Sequence, residues 1–412
     1  MATLTPTGIR YRLVIQRSKW AASSAPLAMA RPNVALSDRL LPSSLPSLNA
    51  KAHVMAALSR SLQVAAEGPG RPLSNTSMDA DEKLTAIRST SRYILALSAV
   101  AVRDQRIFTW NLLFRGGTYL AEVRVIDVSP YDLRGYISSF VIIDEKVAVV
   151  DPGPESSYSK LKEGLEGLGV RPDLIFVTHV HLDHAGAAAH LLADYNSSVV
   201  YVHPRGVPHV VDPSKLYAAA LELTPLLPQT YGRPLNADPR RVVQAEDGLV
   251  VSLGSSSIRV LHTPGHASHH MSLVLEPEGV LFTGDSAGVI FNFEGLEVPM
   301  PTSPPPFKPK MYLESVAKME RLSPRRFAPT HFGVHDDAPR WLKLAREQVV
   351  RWLEAIRSAG PSSDIQALEN VIGSIEPSVA QLLKGSEAFA VRGFLDTTIM
   401  GLKDALERGE WP

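Results

Sequence analysis

Residues 178–186 read THVHLDHAG and place His179, His181, Asp183 and His184 within six positions. They follow the apolar run Leu174-Ile175-Phe176-Val177, which reads as a buried strand ending in a loop. Imidazole and carboxylate are ligand types that suit zinc, iron and manganese. His179 and His181 alternate about Val180, so both can project to one side of an extended segment. Asp183 and His184 lie just beyond and can reach a second ion. Such a density of ligand types weighs against a plain polar loop. Further ligand types come downstream. HTPGHASHH at 262–270 offers His266 after a Pro-Gly turn, TGD at 283–285 offers Asp285, and PTHFG at 329–333 offers His331. Each is a short strand, a turn, then a ligand. Of the histidines, only His53 falls outside the span from His179 to His335. Paired divalent ions lower the pKa of bound water and polarise a carbonyl or phosphoryl oxygen. No serine or cysteine nucleophile is then needed.

In this order, HxHxDH, HTPGH, GD and THFG resemble the metallo-β-lactamase fold hydrolases, most closely the glyoxalase II-like branch. The resemblance covers roughly residues 117–340. It implies a first metal held by His179, His181 and His266, and a second held by Asp183, His184 and His331. It implies that Asp285 bridges the two, and that Asp183 also orients the nucleophilic hydroxide. The cofactors it implies are two divalent ions, zinc first, with iron or manganese as alternatives. Asp151, in Val149-Val150-Asp151-Pro152-Gly153, resembles an early Asp that buttresses the metal loop. His270 matches a supporting histidine, and hydrogen bonds from such residues orient ligands. His203 and His209, on a loop after a strand, either touch substrate or serve the structure. His335 follows His331 closely and is expected to flank the cleft. His53 and His190 read as structural or exposed.

The implied function is a dinuclear metal hydrolase that uses a metal-bound hydroxide on a small-molecule ester, thioester or lactone. One alternative is a mononuclear iron oxidoreductase resembling persulfide dioxygenases. Another is a nuclease or phosphodiesterase of the same fold. Against the nuclease stand zero net charge, from 42 Lys/Arg and 42 Asp/Glu, and no basic aromatic module. The basic residues with which glyoxalase II holds glutathione have no counterparts at matching positions. β-Lactamase activity does not follow from the fold, because fold does not give substrate.

The chain has 412 residues and no cysteine, which excludes disulfides and thiolate metal sites. No apolar run approaches a membrane span. A cytoplasmic protein with a small-molecule substrate, no nucleic acid and no membrane partner is expected. Residues 1–78 hold nine Lys/Arg but only Asp38 and Glu67 as acids. They read as a disordered leader or a mis-assigned start, with an organellar transit peptide as a further option. Residues 79–116 are an ambiguous lead-in.

Strands are expected at 119–126, 136–143, 147–150, 174–177, 198–202, 250–253, 258–261, 272–275 and 280–283. Helices are expected at 158–168, capped by Gly169, and at 185–195. Periodicity alone gives α/β or α+β. The resemblance sharpens this to an αββα sandwich of two mixed sheets flanked by helices. Ser303-Pro304-Pro305-Pro306-Phe307 is expected to form a stiff wall of the pocket. Residues 341–412 show helical periodicity at 348–357 and 391–408 and read as a C-terminal appendage. The apolar surface of Trp341, Leu342, Val349, Val350, Trp352 and Leu353 must be buried, either on the sandwich or in a homodimer contact.

Overall fold

The computed structural model describes residues 121–412, apart from 132, 224–225, 294, 361–362, 386–387 and 412. It also describes the strands Ala2–Leu4, Tyr11–Leu13 and Ile107–Trp110. The chain forms two units, 1–101 and 102–412. Within the first, Ala2–Leu4 pairs antiparallel with Tyr11–Leu13. The expectations for 1–78 and 79–116 otherwise lie outside the described residues.

The second unit holds a seven-stranded sheet in sequential order. Its strands are β1 (Ile107–Trp110), β2 (Glu122–Asp127), β3 (Ser138–Ile143), β4 (Val147–Val150), β5 (Leu174–Val177), β6 (Val199–Val202) and β7 (Val242–Gln244). β1 to β4 are antiparallel; β4 to β7 are parallel. The other sheet joins β8 (Val250–Ser252), β9 (Ser257–His262), β10 (Met271–Glu276) and β11 (Val280–Gly284) antiparallel. β12 (Val289–Phe293) and β13 (Leu296–Met300) form a separate hairpin. β14 (Arg326–Pro329) then runs parallel to β11, and β15 (His335–Asp336) closes the edge.

Side-chain alternation explains the layering. In β5, Leu174 and Phe176 join Phe140, Ile258, Leu273 and Phe282 in a cluster drawn from both sheets. Ile175 and Val177 point the other way and join the helix residues Leu161, Leu165 and Leu191. A strand apolar on both faces must be covered on both. In the other sheet, Leu261, Val274, Leu281 and Phe327 likewise join helix residues such as Val316 and Val349. The result is the expected αββα sandwich.

Helix α1 (Tyr158–Leu168) has the predicted bounds, and Gly169 ends it at φ 69°. The helix predicted at 185–195 differs. It is α2 (Leu182–Ala185) and α3 (Ala188–Asp194), broken between them. Ala187 N–H donates to Gly153 O, which takes it out of the helical ladder. At Gly186 a Cβ would stand 2.6 Å from Glu155 N, so the residue's bareness lets the two segments touch. Asp183 and His184 thus ride on the first turn of a helix. The helices α4 (Val207–Val211), α5 (Ser214–Leu223), α6 (Leu226–Tyr231) and α7 (Pro309–Glu320), and the β12–β13 hairpin, had not been expected.

The C-terminal helices are α8 (Ala338–Ala359), α9 (Ile365–Ile375), α10 (Pro377–Leu382) and α11 (Ala388–Glu407). Trp341, Leu342, Val349, Trp352 and Leu353 are buried within this same unit, and Val350 is half-buried. The proline segment is tied to α11, where Ser303 Oγ donates to Thr398 O. Trp352 is fully buried and its Nε1 donates to Glu376 Oε1 at 3.0 Å. Trp352→Ala should therefore cost about 3–5 kcal/mol of stability. A denaturant melt with an unchanged midpoint would show that α8 contributes little to the fold.

Candidate metal centre

The functional side chains leave the C-terminal ends of parallel strands. Asp151 follows β4, His179 and His181 follow β5, Asp285 follows β11 and His331 follows β14. His266 arrives on the turn between β9 and β10. Parallel neighbours deliver their ends to one edge, so residues far apart in sequence meet there.

Three nests of ligand atoms result, each with its atoms within 4.8 Å of one another. The first is His179, His181 and His266; the second is His179, His184 and Asp285; the third is Asp183, His184 and His331. In the first, His181 Nδ1 lies 2.9 Å from His179 Nε2 and 3.1 Å from His266 Nε2. In the third, Asp183 Oδ2 lies 3.4 Å from His331 Nε2 and 3.8 Å from His184 Nε2. Asp285 stands between. Its Oδ2 is 3.6 Å from His266 Nε2, while its Oδ1 is 3.4 Å from His184 Nε2 and 4.0 Å from His331 Nε2.

The outer nitrogens are already committed, which directs the inner ones. His184 Nδ1 donates to Asp151 Oδ2 at 2.9 Å, and His331 Nδ1 donates to Tyr136 O at 2.8 Å. His266 Nδ1 donates to Thr302 O at 3.1 Å. Each bond fixes the tautomer that leaves Nε2 as a bare lone pair facing inward. His184 Nε2, His331 Nε2 and Asp285 Oδ1 are buried without a hydrogen-bond partner. Buried acceptors that converge unpaired are costly unless a cation shares them. The donor set of imidazole nitrogens and carboxylate oxygens therefore fits divalent metal ions.

Electrostatics point the same way. Burial, with His184 and His181 nearby, pushes His179 far below the ordinary imidazole range. Burial and His266 bring His181 down to about 3. Burial opposes charge on Asp183 too, yet His184 and His331 hold its carboxyl at about 2. Asp285 is also held well below the carboxylate range, against burial, by His184, His266 and His331. His184 alone among these imidazoles is driven well above its ordinary range; burial resists, but Asp285, Asp183 and Asp151 outweigh it. Without an ion, the carboxylates draw in a proton.

Asp151 is fully buried and accepts four hydrogen bonds. They come from Thr178 N and Oγ1, both at 2.7 Å, from His184 Nδ1, and from Thr330 Oγ1 at 2.6 Å. His270 Nε2 accepts from Asp285 N–H at 3.0 Å, and its Nδ1 meets Thr263 Oγ1 at 3.0 Å. It thus fixes the backbone that carries Asp285. His203 Nδ1 accepts from Arg205 N–H and its ring lies 4.1 Å from His262. His209 is separated from His181 by His269, with ring centroids 6.3 and 5.8 Å from that intervening histidine. His335 donates from Nε2 to Phe332 O and lies against Trp341, so it belongs to the packing of α8 rather than to the ligand nests. His190 faces Tyr158 and Glu155.

Several site residues escaped the sequence. His269, mostly buried beside His181, has an Nδ1 without a partner. Thr302 Oγ1 donates to Asp285 Oδ2 at 3.4 Å. Tyr136 and Tyr231 share a hydrogen bond of 3.1 Å next to His331. The histidine run HASHH could have flagged His269; nothing in the local sequence marks the others.

Residues 133–331 match the family model of the metallo-beta-lactamase superfamily. A metallo-beta-lactamase fold-containing protein of Sulfurisphaera tokodaii is 32% identical over 213 residues, covering 51% of this chain and 77% of that relative. A hydroxyacylglutathione hydrolase of Haemophilus influenzae is 29% identical over 164 residues, covering 39% of this chain and 70% of its own length. The crystal structure of an archaeal metallo-beta-lactamase superfamily protein from Sulfolobus tokodaii superposes with a TM-score of 0.53 at 25% identity. It spans 68% of this chain and 98% of that one. The chain belongs to the metallo-beta-lactamase superfamily, and it is a hydrolase of that superfamily.

Asp151→Ala would strand four buried donors and should cost about 3–5 kcal/mol. It should also weaken the Asp183–His184–His331 nest more than the nest of His179, His181 and His266. Metal titration of the variant checks this; equal loss from both would contradict it.

The metal-free protein should lose stability in acid. His179, His181, His266 and His270 have folded pKa values below their unfolded value near 6.5. The unfolded chain therefore binds more protons as pH falls through that value, and stability drops with it. His184 has the opposite sign: its contribution is present below its unfolded value and is lost as pH rises through its raised folded value. Four depressed groups outweigh one raised group, so the thermal midpoint should fall between pH 7.5 and pH 5. A rising midpoint would be the contrary result.

Proposed function

We propose that this chain hydrolyses an acyl bond (an ester, thioester or lactone) in a small molecule at a two-ion centre. The observation that carries the reading is Asp285, which turns one carboxylate oxygen to His266 and the other to His184 and His331. One carboxylate facing two nests suits a shared pair of ions better than a single structural one. His179, His181 and His266 would hold the first ion, Asp183, His184 and His331 the second, with Asp285 between. Such a pair, when bound, supplies an ionised water at neutral pH and withdraws electron density from a carbonyl oxygen.

The chain's own groups do the rest. Asp183 turns Oδ2 toward His331, and its other oxygen can accept a hydrogen from the attacking water and aim it. His270 holds the Asp285 backbone, and Thr302 holds both His266 and Asp285. Zinc suits the nitrogen and oxygen donor set, as iron and manganese do. The hydroxyacylglutathione hydrolase among the relatives supports an acyl substrate. A small-molecule substrate also agrees with the zero net charge. The presence of Asp183, His184 and His331 together favours the two-ion hydrolase over the single-iron dioxygenase reading.

The test is metal analysis of protein purified without added metal, followed by a panel of esters, thioesters, lactones, phosphodiesters and persulfides. Two ions per chain with acyl-bond turnover is expected. Asp285→Ala should hold one ion or none and lose turnover. A single iron with oxygen uptake, or an Asp285→Ala protein that keeps two ions and full activity, would overturn the reading.

A further inference from the structure

The turn 263–270 carries His266 between β9 and β10. Its base is closed by Thr263 N–H, which donates to His270 O at 3.0 Å. Its tip is fastened by α7. Ser315 Oγ donates to Pro264 O at 2.7 Å, and Lys308 N–H donates to Gly265 O at 3.0 Å. At Gly265 φ is 140°, and a Cβ would stand 2.4 Å from Tyr312 Cα, so the turn lies directly on the helix backbone. Lys318 Nζ donates to His262 O at 3.1 Å, where β9 ends. Ser315 is 4% exposed, and its bond ends two residues before His266.

The other ligands are held differently. Asp151 bonds His184 directly, bonds Thr178 just before His179, and bonds Thr330 just before His331. Its four hydrogen bonds reach none of residues 263–270. His266 therefore takes its ring direction from Thr302 and its backbone position from α7. Glycine restrains the chain least of all residues, so a turn that passes through Gly265 needs outside bonds to keep one path.

We propose that Ser315 is a positioning residue for His266 and sets the affinity of the first ion position separately from the second. The inference rests on the two-ion reading. Ser315 belongs to none of the ligand nests and acts through the Pro264 carbonyl. Without its hydroxyl that carbonyl loses its donor, and the tip of the turn is freed. His179 and His181 stay fixed at the exit of β5, so the first position keeps two well-placed imidazoles and loses the third. Asp183, His184 and His331 keep their own support. Loosening α7 thus empties the first position while the second stays filled.

The experiment strips the full-length protein of metal and titrates it with cobalt(II) by calorimetry. The wild type should show two binding steps. Ser315→Ala should weaken one step about ten-fold and leave the other within about two-fold. Alanine suits a helix interior, so the fold should survive. Crystals of Ser315→Ala soaked at a cobalt concentration between its two Kd values should show one anomalous peak, among Asp183, His184 and His331. Val316→Ala is the control. Val316 is fully buried on the same helix, so its truncation should lower the thermal midpoint while leaving both cobalt steps unchanged. Equal weakening of both steps in Ser315→Ala, no weakening of either, a peak among His179, His181 and His266 instead, or the same selective loss in Val316→Ala would each overturn the proposal and leave the two-ion reading standing. A wild type that binds a single cobalt ion would contradict the two-ion reading itself, and the proposal with it.

Discussion

The carboxylate of Asp151 is the constraint on which the site depends. It sits at the end of β4 with φ 50°, a backbone region that costs a non-glycine residue about 1–3 kcal/mol unless its surroundings enforce it. Four hydrogen bonds do so, and they come from three separate segments. Thr178 belongs to the end of β5, His184 to α2, and Thr330 to the end of β14. One buried group thereby ties both sheets and the helix that carries Asp183. It also sets the His184 tautomer. Without it the bonds that remain across the shared edge, such as Met271 N–H to Thr178 O and Ser138 N–H to Thr330 O, would still join the sheet ends, but none of them reaches His184 or the turn that carries Asp183.

That frame must resist a strong electrostatic opposition. Buried imidazoles crowd one another, with His179 and His184 ring centroids 4.0 Å apart. Buried carboxylates face them, and several inward atoms lack partners. Such an arrangement is poor for stability in isolation. It persists because the outer shell is satisfied: Thr302, Tyr136, Thr263 and Asp151 each bond the side of a histidine that faces away from the centre. The C-terminal helices extend this support. Thr398 on α11 accepts from Ser303, next to Thr302, and Phe394 packs edge-on against His331 at 5.5 Å. The appendage therefore presses on the metal-facing loops from outside and belongs to the same buried core.

Much of this was legible in the sequence because the signals were short-range. The run from Leu174 to Val177 followed by alternating histidines is a strand and its exit, and the structure has β5 there. Gly169 after an amphipathic stretch marks a helix end, and α1 ends there. The helix at 185–195 was misread because its break depends on Gly153 and Glu155, which approach only in three dimensions. The helices 207–211 and 226–231 have only 5 and 6 residues and carry Pro208 and Pro228, so their periodicity is too brief to register. The contacts of His335 with Phe332 O and the Trp341 ring likewise arise only once β15 and α8 have packed together. Tyr136, Tyr231 and Thr302 carry no local signal, since their roles arise only when distant loops meet.

In the proposed centre Asp285 would lie between two ion positions, with Asp151 and His270 holding the groups around it. Anomalous diffraction from crystals of the metal-loaded protein addresses it most directly. Two anomalous peaks are expected flanking the Asp285 carboxylate, one among His179, His181 and His266 and one among Asp183, His184 and His331. A single peak in the presence of excess metal, or two peaks with Asp285 turned away from both, would contradict it.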